Sequence, residues 1–171
     1  MDAMDITVKA GDVLEQAADV LICSANVYLR QSGGVGGEIL RRYGDAMQKE
    51  LDRYLSDHGS VFVPRGEVVQ TSGVGTPFQY VLHAVAIDAW YESSPDVVAC
   101  VLGRAFRMAS QLQAKKIAVV ALATGYGHLS MASFARGLRE STAYITQPIE
   151  EVSVVVRKVD EAREIREVLR A

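Results

Sequence analysis

Residues 18–26, ADVLICSAN, are an almost unbroken apolar run closed by an asparagine. A strand covered on both faces reads this way, because neither face has to carry polar residues for water. Such strands belong mostly to parallel sheets, and parallel neighbours are joined by crossovers, usually helices, in place of tight turns. The run therefore demands helical segments around it, and the sequence contains them.

The stretch DITVKA (5–10) alternates and is expected as a strand ahead of Gly11 and Asp12. Beyond a glycine-rich stretch at 33–37, the pattern predicts a helix over 38–43 stopped near Gly44. A second is expected over 45–55 with Met47, Leu51 and Leu55 on one face. EVVQTSG (67–73) and QYVLHAVAID (79–88) are two strand candidates separated by a Gly/Pro turn. Pro95 and Asp96 open a helix in which Val97, Val101, Leu102, Ala105, Phe106, Ala109 and Leu112 follow helical spacing. KIAVVA (116–121) reads as a buried strand, and Ser130 is placed to cap a helix carrying Phe134, Leu138 and Ile145. EVSVVVRKV (151–159) is a final strand, with Asp160 expected to cap the last helix. This alternation implies right-handed crossovers and an α/β fold with helices on both faces of a largely parallel sheet.

A chain of 171 residues, 49% hydrophobic and without low-complexity or linker segments, fits a single domain over 1–171. Net charge is -3 with both signs interspersed, which argues against an extended nucleic-acid surface. No apolar run approaches the roughly 18–20 residues of a membrane span, and the acidic start MDAMDITVKAGD is unlike a secretory signal, so a cytoplasmic location is expected. Cys23 and Cys100 lie inside apolar segments and are expected as small buried hydrophobes, with no disulfide or metal site.

In sheets of this kind ligands bind outside the carboxyl ends of the strands. Two loops expected there are glycine-rich: SANVYLRQSGGVGG (24–37) and ATGYGHLS (123–130). Successive glycine amides form an anion-binding concavity, and a helix starting beyond them adds the positive end of its dipole. Two such loops suggest a diphosphate, plain turn-making being the alternative. The dinucleotide fingerprint G-x-G-x-x-G is not met, since Ile39 stands at the third glycine's place, and G-x-x-x-x-G-K-[ST] is absent.

The ordered set AGDV, ADVLICSAN, SGGVGGEILRRYG, GEVVQTSG, YVLHAVAI and VVALATGYGHLS resembles the macrodomain family from about residue 5 to the end. The resemblance implies a three-layer α/β/α sandwich around a mixed, largely parallel sheet. Its cleft would bind ADP-ribose or a close derivative without a cofactor, an ADP-ribosylated protein being a further possible partner. Carried over position by position, Asp12 would accept from the adenine amino group with Val13 beside it, and Asn26 would contact the distal ribose. Gly33, Gly34, Val35 and Gly36, with Thr124, Gly125 and Gly127, would wrap the diphosphate, and Tyr126 would lie against the distal ribose.

The residues carry plainer readings too. Asp12 beside Gly11 suits a turn or cap aspartate, and the Asn26 amide must be satisfied by a turn or by a ligand. Tyr126, between two glycines, suits an exposed lid. His83 in an apolar strand reads as a packed, hydrogen-bonded histidine and His58 as a surface residue, whereas His128 is placed to reach a phosphate or ribose. Trp90 and Tyr91 form either a cleft rim or a packed corner.

Four departures from the family pattern bear on catalysis and base choice. Hydrolytic members often carry an acid where Gly36 stands; Glu38, two residues on, is expected in the first helical turn, where the dipole explains an acid. No lysine lies near the two loops for a covalent adduct. The second loop, T-G-Y-G, is one residue shorter than usual, and Val159 precedes Asp160 where an aromatic often stacks on adenine. Three readings follow. The first is a binding module or weak processing domain. The second is a hydrolase acting on ADP-ribosylated macromolecules or ADP-ribose 1''-phosphate, with Asn26 and His128 as catalytic candidates. The third is a domain that kept the fold and lost the ligand.

Overall fold

A computed structural model describes residues 5–171; residues 1–4, part of the expected 1–171 domain and of the amino-terminal segment read above, lie outside the described residues. The strands are β1 (Asp5–Ala10), β2 (Val20–Ala25), β3 (Val68–Ser72), β4 (Tyr80–Val85), β5 (Lys116–Val119) and β6 (Glu151–Val156). The helices are α1 (Gly34–Tyr43), α2 (Ala46–Asp57), α3 (Pro95–Gln111), α4 (Met131–Ser141) and α5 (Val159–Arg170). One six-stranded sheet runs β1-β6-β5-β2-β4-β3. Only β3 is antiparallel to its neighbour, so the sheet is mixed and largely parallel. Helices α3, α4 and α5 pack together as one layer, and α1 and α2 form the other, giving the expected α/β/α sandwich.

Burial follows the sequence pattern. Val20, Leu21, Ile22 and Cys23 of central β2 are all buried, whereas edge strand β3 alternates, with Val69 and Thr71 inward and Gln70 and Ser72 exposed. Two helix starts are capped by serine, the second as expected: Ser94 Oγ accepts from Val97 N at 3.2 Å and Ser130 Oγ from Ser133 N at 3.0 Å.

Four expectations need correction. Helix α1 starts at Gly34, within the glycine run, because a first turn of glycines has little intrinsic helix preference and is invisible to propensity. Asp160 lies inside the first turn of α5, whose N-cap is Lys158, so it meets the helix dipole without capping the end. Ile145 packs against the core from beyond a 3₁₀ turn (Thr142–Tyr144) that ends the helical path after Ser141. Cys100 is exposed on α3, while Cys23 is buried and both thiols are free.

Candidate functional site

The parallel strands all end at one edge of the sheet, and a cleft of about 1170 Å³ opens there. Its walls come from Asp12 and Val13 after β1, Asn26 and Gly33 to Gly36 after β2, Ile87 and Tyr91 after β4, Ala123 to His128 after β5, and Arg157 and Lys158 after β6. Every ligand-contacting residue expected from the sequence therefore lines one cavity.

The glycine run is built for access to backbone. In a helix the first N–H groups have no carbonyl one turn back. The first to find one is Gly37 N, bonded to Gly33 O at 3.0 Å, which leaves the amides of Gly34, Val35 and Gly36 without intrahelical partners. Gly34 turns the chain into the helix with φ +57°, in the left-handed region where glycine is unstrained. Gly33 is extended, and its constraint is proximity: a β-carbon there would lie 2.5 Å from the Tyr126 ring. The two loops thus meet, Tyr126 of one lying across Gly33 of the other.

The second loop is held from below. Thr124 Oγ1 donates to Ala121 O at 2.8 Å, His128 N to Gly125 O at 3.2 Å and Leu129 N to Ala123 O at 3.0 Å. Ala123 and His128 take positive φ (63° and 54°), and a β-carbon on Gly127 would meet Ala123 O at 2.5 Å. Tyr126 stays exposed, and its ring centroid lies 6.4 Å from that of Tyr91, so Tyr91 is rim and not packed corner. Trp90 beside it is 80% exposed.

Asn26 organises its own loop. Its Oδ1 accepts from Tyr28 N at 3.0 Å and Arg30 N at 3.1 Å, and its Nδ2 donates to Arg30 O at 2.9 Å. The amide is thus satisfied largely by the turn, with one N–H of Nδ2 in excess of these bonds. Asp12 is likewise engaged: Oδ1 accepts from Leu14 N at 2.9 Å, and Oδ2 pairs with Arg42 Nη2 at 2.6 Å. Arg42 also reaches Glu38, which bonds Arg41 as well, and these guanidinium hydrogen bonds, Arg41 foremost, hold the Glu38 carboxyl below its usual range. Glu38 sits beyond the first turn of α1, so ion pairs and not the dipole account for its charge.

His83 is buried between Thr71 Oγ1 at 3.0 Å from Nε2 and Cys23 Sγ at 3.5 Å from Nδ1. Burial pushes its imidazole down to about 4 and the Cys23 thiol up to about 12, so both are neutral. His58 stacks on Tyr54 at the surface, away from the cleft. Several cleft residues were not anticipated, among them Arg157 and Lys158, the latter a lysine lining the same cleft as the two loops, against the expectation that none lies near them. Arg42 becomes visible only through pairing with Asp12 across the fold, and buried Gln31 has no periodicity to announce it. Among the described residues no cluster of His, Cys, Asp or Glu is placed to hold a metal, and no helix is long and apolar enough to cross a membrane.

The profile of the Macro domain family matches residues 22–137. The chain belongs to the macro domain family. A macro domain-containing protein of Streptomyces nogalater is 32% identical over 153 residues, covering 88% of this chain and 84% of that one. Among solved structures, a macrodomain mutant of Oceanobacillus iheyensis with ADPR superposes with a TM-score of 0.85 at 21% identity, over 95% of this chain and 90% of that one. The Trypanosoma brucei macrodomain in complex with ADP-ribose gives 0.81 at 20% identity, over 95% and 68%. At these identities the structures establish the macrodomain fold, whose glycine-rich loops here form the cleft just described.

Proposed function

We propose that this macrodomain binds ADP-ribose or a close derivative, as a binding module or weak processing domain over residues 1–171. The observation that carries the reading is the set of free amides at Gly34, Val35 and Gly36, faced by Tyr126 across Gly33 inside a cleft of about 1170 Å³. Free amides at a helix start suit a diphosphate, and the cavity exceeds the roughly 300–1,000 Å³ of ordinary small-molecule sites. Asp12 and Val13 take the base and Asn26 the distal ribose through its remaining N–H. Thr124, Gly125 and Gly127 complete the diphosphate wall with Gly33 to Gly36, while Tyr126 is the lid. No cofactor is needed, and the open rim at Trp90 and Tyr91 leaves room for an ADP-ribosylated protein. A cytoplasmic setting fits the two free thiols.

Hydrolysis is the second reading, and exposed His128 on the cleft wall favours it. Against an efficient catalyst stand Gly36, which has no side chain to orient water, and Glu38, which is occupied by two arginines. Calorimetric titration with ADP-ribose tests the binding reading: saturable heat is expected, weakened strongly in Asp12→Ala and Gly34→Glu. Absence of heat at millimolar ligand sinks it.

A further inference from the structure

Gln31 is 6% exposed, lines the cleft, and leaves both Oε1 and Nε2 without a hydrogen-bond partner. Buried carboxamides are normally paired, so an orphan donor and acceptor on one side chain call for a partner that arrives from outside the fold. The backbone beneath is fixed: Gln31 N donates to Gln48 Oε1 at 2.8 Å, and Gln48 Nε2 is anchored on Leu29 O at 3.0 Å and Asp52 Oδ1 at 3.0 Å. The stem of Gln31 runs beside Gly36, where a β-carbon would lie 3.6 Å from its Cβ and Cγ. The outer part of the side chain is therefore the free element, able to turn about its terminal torsions.

Place and chemistry identify the partner. Asp12 marks the base end and pairs with Arg42 in the last turn of α1. Gly36 lies six positions earlier, about 9 Å away along the axis at 1.5 Å per residue. Gln31 thus stands level with the amides assigned to the diphosphate, at the end of α1 away from the base, and follows Arg30, whose backbone bonds Asn26 on the distal-ribose side. A phosphate oxygen only accepts and would leave Oε1 unpaired beside negative charge, whereas a hydroxyl both donates and accepts.

We propose that Gln31 is a specificity residue of the cleft, its carboxamide turning to bond a hydroxyl of the distal ribose beside Gly36. The proposal rests on the ADP-ribose reading above. An amide has no proton to give up or take at neutral pH, so Gln31 orients the sugar and does not act as an acid or base.

The test is calorimetric titration of wild type, Gln31→Leu and Gln31→Met with ADP-ribose and, separately, with ADP, which lacks the distal sugar, together with melting temperatures. Expected are a loss of at least tenfold in ADP-ribose affinity, ADP affinity within twofold of wild type, and melting temperatures equal to or above wild type, since an unpaired amide is removed. The methionine variant, close in length to glutamine, serves if leucine prevents folding. Unchanged ADP-ribose affinity, or equal losses for both ligands, overturns the proposal and leaves Gln31 with a buried water only. Wild type that binds neither ligand overturns the ADP-ribose reading itself, and this inference with it.

Discussion

Tyr126 lies so close over Gly33 that a β-carbon at position 33 would come within 2.5 Å of its ring and 2.8 Å of its hydroxyl oxygen. This contact joins the two glycine loops at their tips. Because Tyr126 is 65% exposed, its ring can swing away when crowded. Gly33→Ala is therefore expected to change the melting temperature little while weakening ADP-ribose binding about tenfold, some 1.4 kcal/mol. Affinity unchanged with a displaced Tyr126 would show that the lid is irrelevant.

Gly127 is constrained by backbone in place of a mobile ring. A β-carbon there meets Ala123 O at 2.5 Å and the Ile87 side chain at 2.6 Å, whereas Gly125 has open space around it. Gly127→Ala should cost roughly 1–3 kcal/mol in urea unfolding, as overpacking does. Gly125→Ala should stay within ~0.5 kcal/mol. Equal effects at the two positions would contradict this packing.

The neutral state of His83 gives the fold an acid limit. Its imidazole is lowered to about 4 by burial, against about 6.5 in the unfolded chain. Between those values the unfolded chain holds a proton that the folded one lacks, so stability is complete above pH 6.5 and falls as pH drops toward 4. The loss is on the order of 3 kcal/mol across that window. Urea titrations at pH 7 and pH 4.5 should show it, and His83→Gln, which keeps a polar side chain near Thr71 and Cys23, should flatten most of it.

Gly36 can accept a side chain. A β-carbon there makes only ordinary contacts with Gln31 at 3.5–3.6 Å. Gly36→Asp should fold with stability within ~1 kcal/mol of wild type, the carboxylate being favoured by the helix start. It should bind ADP-ribose several-fold more weakly through repulsion of the diphosphate, and should raise release of ADP-ribose from a modified peptide above the wild-type rate. Weaker binding with no gain in release would place the water-orienting group elsewhere.

The fold was legible because β2, α3 and β6 each carry a pattern that only burial explains, and the glycine-rich loops follow β2 and β5, which end at Ala25 and Val119, slightly short of the apolar runs. The start of α1 was not legible, since glycines say nothing about a helix that tertiary contacts impose. At the site, residue types located Asp12, Asn26 and Tyr126 without revealing that Asp12 is held by Arg42 or that Asn26 is bonded within its own turn. The first is a side-chain ion pair across the fold and the second a set of bonds to local backbone, neither of which spacing encodes. Gln31 was missed for the same reason: its isolation is a property of what surrounds it.

The five parallel strands hand their following loops to a single rim, so the cleft is stitched from chain segments joined through the sheet and by a few contacts at the rim. Anything seated there acts as a rivet across the whole width of that rim. Backbone amide exchange should then slow together after β1, β2, β4, β5 and β6 on ligand addition, while the far ends of the same strands keep their original rates.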